Sequence, residues 1–244
     1  MPSTERFSAA AYADDGKHHI LLAASGSVAT IKIPQIAAAL SRHGNVSIRI
    51  VLTHAAEQFL QGQSHEQPQL KSLLDLPNID GIHHDDEEWS KPWVRGDKIL
   101  HIELRRWAHV LLVAPLSANS LAKMVNGISD GLLLSVIRAW DTTGLVDMRK
   151  KRIFVAPAMN TAMWRHPITR KQIKVLEQEW GVGDEGWITV LRPMEKELAC
   201  GDVGDGAMMD WKLIVEYIEV HLGLDSQDVP ATVQKTPATL NGGE

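Results

Sequence analysis

Val155-Ala-Pro-Ala-Met-Asn-Thr-Ala-Met-Trp164 is the stretch that decides the fold. The apolar run Ile153-Phe-Val-Ala156 that leads into it has the pattern of a strand buried on both faces. Pro157 stops that strand, and helical punctuation follows within a few residues. Val113-Ala-Pro-Leu-Ser-Ala-Asn-Ser120 repeats the plan of apolar strand, proline, small polar loop and helix. Ligands of open parallel sheets sit just beyond the carboxyl ends of the strands. Asn160 is therefore a hydrogen-bonding handle in a wall made by Met159, Met163 and Trp164. Two such edges in one chain predict a single site at one end of a single sheet.

Outward from these edges the chain alternates strand and helix. His18–Ala24 reads as a strand, Ser25-Gly-Ser-Val28 as a tight turn, and Ala29–Arg42 as a helix closed by Gly44. Ser47–Thr53 is a second strand, with a helix from His54 to Leu60. This order predicts a parallel sheet with right-handed crossovers. Residues 61–98 are irregular. Ile99–Trp107 leads into the apolar strand His109–Pro115; helices follow at Ser117–Asn126 and Ser129–Trp140, then a loop to Arg152 whose basic run reads as a surface turn. Beyond the opening stretch come a helix at Pro167–Gln178, a strand at Trp187–Leu191, a glycine-rich loop at Glu195–Met208 and a helix at Asp210–His221. Residues 1–17 and 223–244 are expected to be disordered, leaving one domain over 18–222.

The totals narrow the function. The formal charge of −5 over 244 residues gives no electrostatic case for nucleic acid or an anionic membrane. No apolar run approaches the roughly 20 residues that span a bilayer, and residues 1–17 lack a secretory signal. The single cysteine excludes an internal disulfide framework and suits a reducing, cytoplasmic setting. There is no Walker loop and no GxGxxG. Ser25–Val28 is a weaker sign: small residues between a strand and a helix N-terminus hold a phosphate or merely make a turn.

Three further features bear on chemistry. His83-His-Asp-Asp-Glu-Glu88 invites a metal reading, but ligands adjacent in sequence rarely converge on one ion, so it reads as a solvated acidic loop and no metal is expected. Cys200 lies in Leu198-Ala-Cys-Gly-Asp-Val-Gly-Asp-Gly-Ala-Met208. A lone buried cysteine is commonly a small hydrophobe, whereas a thiol between glycines in a polar loop is better placed as a proton donor, nucleophile or redox group. His101 precedes Glu103, Arg105 and Arg106; it is either a satisfied, partly buried histidine or a base gathered with cations at one sheet edge.

Ala24-Ser-Gly-Ser-Val-Ala29, Leu100-His-Ile-Glu-Leu-Arg-Arg-Trp-Ala108, Ala114-Pro-Leu-Ser-Ala-Asn-Ser120, Pro157-Ala-Met-Asn-Thr-Ala-Met-Trp164 and Leu198-Ala-Cys-Gly-Asp202 stand in the order and approximate spacing of one family. The chain resembles the homo-oligomeric flavin-containing cysteine decarboxylases, and among them the phosphopantothenoylcysteine decarboxylases, from about His18 to Leu222. The resemblance implies an α/β, flavodoxin-like Rossmann three-layer sandwich, FMN as cofactor, and a homotrimer with sites between subunits. It assigns Ser25, Gly26, Ser27, Val28, Thr53, Ser117, Ala118, Asn119, Ser120 and Ala158 to FMN. It makes His101 and Cys200 catalytic, and Asn160, Met163, Arg105, Arg106, Glu197, Ala199 and Met208 substrate-binding.

The implied substrate, 4′-phospho-N-pantothenoylcysteine, has no electron sink beside its carboxylate, so direct loss of CO₂ leaves an unstabilised carbanion. Oxidising the thiol to a thioaldehyde supplies the sink, and decarboxylation then yields an enethiolate. Two rivals share the broad fold. A flavin prenyltransferase needs neither the Asn160 motif nor the Cys200 loop. A non-catalytic phosphatase-regulating relative carries long acidic extensions and can lack a catalytic residue, whereas both ends here are short and His101, Asn160 and Cys200 are all present.

Overall fold

The computed structural model describes residues 7–181, 183–197 and 203–224. Its centre is a six-stranded sheet of β1 (His18–Ala24), β2 (Val46–Leu52), β5 (Ile79–His84), β6 (Val110–Leu116), β7 (Arg152–Pro157) and β8 (Ile188–Val190). The spatial order is β5-β2-β1-β6-β7-β8, and every pairing in it is parallel. The order reverses between β1 and β6, so the crevice beyond their carboxyl ends is the place where such sheets take ligands. The expected α/β sandwich is therefore present.

Helices cover both faces because alternate residues of the apolar strands point to opposite sides. On one face α1 (Ile33–Leu40) and α8 (Trp211–Leu222) pack Ile36, Leu40, Ile214 and Ile218 against Ile20, Leu22, Ile48 and Ile50. On the other, α3 (Leu100–Trp107), α4 (Ala118–Val125), α5 (Leu132–Arg138) and α7 (Pro167–Lys174) close over Leu21, Leu111, Val113 and Val155. His43 at the end of α1 meets Glu219 of α8 at 2.8 Å, joining the two helices of the first layer.

Several expectations need correction. The helix foreseen from Ala29 starts as a 3-10 turn, Val28–Lys32, and becomes α-helical only at α1, where Pro34 occupies the first turn. The irregular 61–98 stretch contains β5, a hairpin of β3 (Gln61–Ser64) and β4 (Gln67–Gln69), and a 3-10 turn. β5 is an edge strand, and its polar Asp80, His83 and His84 mask the alternation that would have revealed it. The glycine-rich 195–208 loop is bounded by an antiparallel hairpin, β9 (Met194–Glu197) and β10 (Val203–Ala207).

The segment given as disordered, 1–17, is ordered from Phe7. Ala9–Tyr12 forms a 3-10 turn, and Ala9 N–H donates to Glu103. The Arg49 guanidinium lies 4.0 Å from the Phe7 ring centroid and also faces Tyr12 and Trp107, so aromatic faces hold this buried cation. The basic run is not simply a surface turn either. Lys151 is buried, donates to the Arg105 carbonyl at 2.6 Å and pairs with Asp147 at 2.8 Å.

Candidate active site

The carboxyl ends of β1 and β6 are joined by a chain of serine hydroxyls. Ser25 Oγ accepts from Ser117 N–H at 2.8 Å and lies 3.2 Å from Ser117 Oγ, which in turn lies 3.2 Å from Ser120 Oγ. Ser117 also caps α4 through the Ser120 N–H. Ser25 and Ser117 are buried, so their hydroxyls build the frame of the edge, while Asn119 is exposed on it. Gly26 is dictated by close approach: a Cβ there would meet the Cβ of Ala55 at 2.7 Å. Ser27 and Val28 complete the turn, with Val28 exposed. Thr53 ends β2, and its hydroxyl accepts from Ala56 N–H to start α2 (His54–Glu57).

These elements surround a hollow of about 310 Å³ lined by Gly26, Thr53, Ser117, Asn119, Ser120 and Asp85. Asp85 was not foreseen as part of it. Its carboxylate accepts from His54 N–H at 3.1 Å and from Leu132 N–H at 2.9 Å, holding the starts of α2 and α5 beside the hollow. The donor set suits a phosphate-bearing flavin: small hydroxyls, a glycine turn that lets backbone come close, and the positive N-terminus of the eight-residue α4.

The second part of the site grows from β7. Ala158 is buried and donates its N–H to Leu116 O, which ties the β7 edge to the β6 edge. Asn160 is exposed and caps α6 (Thr161–Arg165), its Oδ1 accepting from Met163 N–H at 2.8 Å. The cap uses the amide oxygen and leaves the amide N–H₂ without a hydrogen bond among the described residues. Met163 is half exposed beside it. Over this loop lies β10. Met159 N–H donates to Gly206 O at 3.0 Å, and a Cβ on Gly206 would stand 2.2 Å from Met159 O. Gly204 is as close-fitting: a Cβ there would stand 1.7 Å from Thr161 Oγ1. Both glycines exist so that the hairpin backbone can lie flat on the Asn160 loop.

His101 sits in the first turn of α3, with its Nδ1 2.7 Å from Glu88 Oε1. The same carboxylate oxygen accepts the His101 backbone N–H at 2.9 Å. Burial pushes the Glu88 carboxyl up, but the His101 ring, its N–H and its charge, with the Leu100 N–H, outweigh this and hold it below the usual carboxylate range. Its neighbours in the run are also engaged: Glu87 meets the ring of His83 at 3.0 Å, and His84 meets Glu57 at 2.8 Å. The run is thus more than a solvated loop: His84, Asp86 and Glu87 stay exposed, but Asp85 and Glu88 hold helix starts and Glu88 meets the His101 ring.

The structure does not bring all the foreseen residues together. His101 stands at the start of α3, held by the run that follows β5, whereas Asn160 starts α6 beyond β7. Arg105 is buried and paired with Asp147 at 2.5 Å, so its guanidinium is committed inside the protein. Arg106 keeps 53% of its side chain exposed and, among the described residues, its ion pair is with Glu103, at 3.3 Å. Met208 packs against the α1–α8 core. Cys200 and Ala199 lie outside the described residues, and of Glu197 only the backbone, in β9, is described.

A parallel α/β sandwich with hydroxyl-lined loops at its switch point defines a flavodoxin-like ligand-binding protein. The flavoprotein family profile matches residues 8–223. A phosphopantothenoylcysteine decarboxylase of Arabidopsis thaliana is 44% identical over 211 residues, covering 86% of this chain and 87% of its own. The solved structure of a PPC decarboxylase cysteine-to-serine mutant complexed with pantothenoylaminoethenethiol superposes with a TM-score of 0.69 at 41% identity, covering 85% of this chain and 99% of that one. The FMN binding protein AtHal3 gives a TM-score of 0.67 at 40% identity, covering 86% and 99%. The chain spans only 31% of another relative, a probable thymidylate synthase of Schizosaccharomyces pombe, which is 40% identical over 216 residues and 88% of this chain. The chain belongs to the flavoprotein family and, within it, to the phosphopantothenoylcysteine decarboxylases.

Proposed function

We propose that this chain is an FMN-dependent decarboxylase that converts 4′-phospho-N-pantothenoylcysteine to 4′-phosphopantetheine, a step of coenzyme A biosynthesis. The observation that carries the reading is the Asn160 loop. Its amide oxygen is consumed by the α6 cap, its amide N–H₂ is left for an anionic or carbonyl oxygen, and the hairpin that leads to Cys200 lies directly on it. The Gly26 turn, Thr53 and the Ser117–Ser120 start of α4 hold the flavin phosphate, and Ala158 borders the ring system. Bound FMN supplies a two-electron acceptor and donor for the substrate thiol and its product.

The chain's own groups do the rest. His101 would take the thiol proton as the neighbouring CH₂ carbon gives up a hydride, the two losses together making the thioaldehyde. Asn160 holds the carboxylate or amide, with Met163 as an apolar wall. Of the two arginines, Arg106 retains a guanidinium able to meet the carboxylate. Loss of CO₂ leaves an enethiolate, and Cys200 protonates it when the electrons return. The enethiol analogue bound to a cysteine-to-serine relative supports this order of events. The reading includes a homotrimer whose sites take His101 from one copy and Asn160 from the next. The expected setting is cytoplasmic.

The test is direct. Protein reconstituted with FMN should release CO₂ from phosphopantothenoylcysteine, and His101→Asn should abolish release while keeping the flavin absorbance. Unchanged turnover in His101→Asn eliminates the assigned base.

A further inference from the structure

We propose that Glu88 is the positioning residue for His101: through one carboxylate oxygen it fixes the imidazole in the Nδ1–H tautomer and leaves Nε2 as the acceptor nitrogen. The proposal rests on the reading of His101 as the base that takes the substrate's thiol proton.

An ionised carboxylate only accepts hydrogen bonds, so a nitrogen 2.7 Å from Glu88 Oε1 must carry the proton. That nitrogen is Nδ1. In the neutral ring the proton is then absent from Nε2, which makes no hydrogen bond among the described residues and belongs to a side chain that is 21% exposed. The Glu88 side chain is only 4% exposed, so the contact is shielded from water and from salt. Its charge is stabilised by the first N–H groups of α3, an eight-residue helix whose N-terminus favours an anion. Backbone and ring of His101 are thus held by the same atom. The backbone bond keeps the carboxylate oxygen in place at the helix start, so the ring turns away only by giving up its own bond to it. A carboxylate that orients an imidazole and fixes its tautomer is a general device wherever histidine acts as base. Glu88 touches no substrate in this scheme; it acts through His101.

The test uses full-length protein labelled with ¹⁵N-histidine, with His101 identified by the signals missing in His101→Asn. Ring nitrogen shifts at about pH 8, where free imidazole is neutral, should show His101 as the Nδ1–H tautomer in the unaltered protein. Glu88→Ala should convert it to a mixture. Glu88→Gln, which keeps the shape and one neutral acceptor, should lie between. In the reconstituted enzyme kcat should fall about tenfold in Glu88→Gln and about a hundredfold in Glu88→Ala, taking the scale seen when the hydrogen-bond partner of a metal-bound histidine is removed. KM should stay within about twofold and flavin absorbance should be unchanged. Retention of the native tautomer in both variants, or of the native kcat, overturns the proposal. A fully active His101→Asn instead sinks the reading of His101 as base, while the ring shifts still report whether Glu88 sets the tautomer.

Discussion

Gly206→Ala tests the coupling between the β9–β10 hairpin and Asn160. The added Cβ would stand 2.2 Å from Met159 O and 3.2 Å from the Asn160 carbonyl carbon, where ordinary contact begins near 3.4 Å. The obstacle is backbone on both sides, so no rotamer change relieves it. The hairpin and the loop must separate by about 1.2 Å, which also stretches the 3.0 Å Met159 N–H bond to Gly206 O. Misplacing a positioning group by about 1 Å costs on the order of a hundredfold in rate. The flavin hollow, built from β1, β2, β6 and α4, is not touched. Gly206→Ala should therefore keep flavin absorbance and lose about a hundredfold in kcat/KM for CO₂ release, with overpacking lowering stability by about 1–3 kcal/mol. Native kcat/KM in this variant would refute the role given to the hairpin's seat on Asn160. Loss of bound flavin would refute the division of the site into two separately built parts.

Other outcomes follow from the same geometry. Cys200→Ser should release CO₂ but accumulate the oxidised enethiol product, seen by mass spectrometry, instead of 4′-phosphopantetheine. Gly26→Ala should weaken FMN binding in a fluorescence titration, and adding Ala55→Gly, which removes the 2.7 Å clash, should restore it. Asp147→Asn leaves Arg105 and Lys151 buried without their anion and should lower stability by about 3–5 kcal/mol with little change in flavin binding. Burial first, then the charges of Arg149, His19, His18 and Lys151, push the His109 imidazole down to about 3. The unfolded chain takes up that proton near pH 6.5, so stability falls as pH drops from about 6.5 and the loss saturates near about 3. His109→Asn should flatten the urea midpoint over that window, and an unchanged slope would assign the acid sensitivity elsewhere.

Much of this architecture is legible in the sequence because it depends on local signals. β6 and β7 carry apolar runs with a proline at or beside their carboxyl ends, and Ser117 and Asn160 announce helix starts by their side-chain chemistry. What escaped depends on partners far along the chain. β5 is a polar edge strand that alternation does not reveal. The acidic run looks solvated until Glu88 is seen beneath His101, 13 residues on, and Asp85 at Leu132, 47 residues on. Arg105 reads as a cation for the substrate; its commitment to Asp147 is a pairing across 42 residues. Gly204 and Gly206 read as loop glycines, whereas they lie in a strand and are small because another backbone presses on them. The order from Phe7 onward comes from aromatic rings closing on the buried cation of β2.

The central claim is that the Asn160 loop and the flavin hollow serve one decarboxylation. The measurement that tests it most directly is mass-spectrometric and CO₂ detection of product from phosphopantothenoylcysteine with the purified, FMN-loaded protein. The expected result is a yellow protein that releases one CO₂ for each 4′-phosphopantetheine formed, with no added oxidant. A flavin-loaded protein that forms neither product contradicts it, and points to the non-catalytic, phosphatase-regulating use of the same fold.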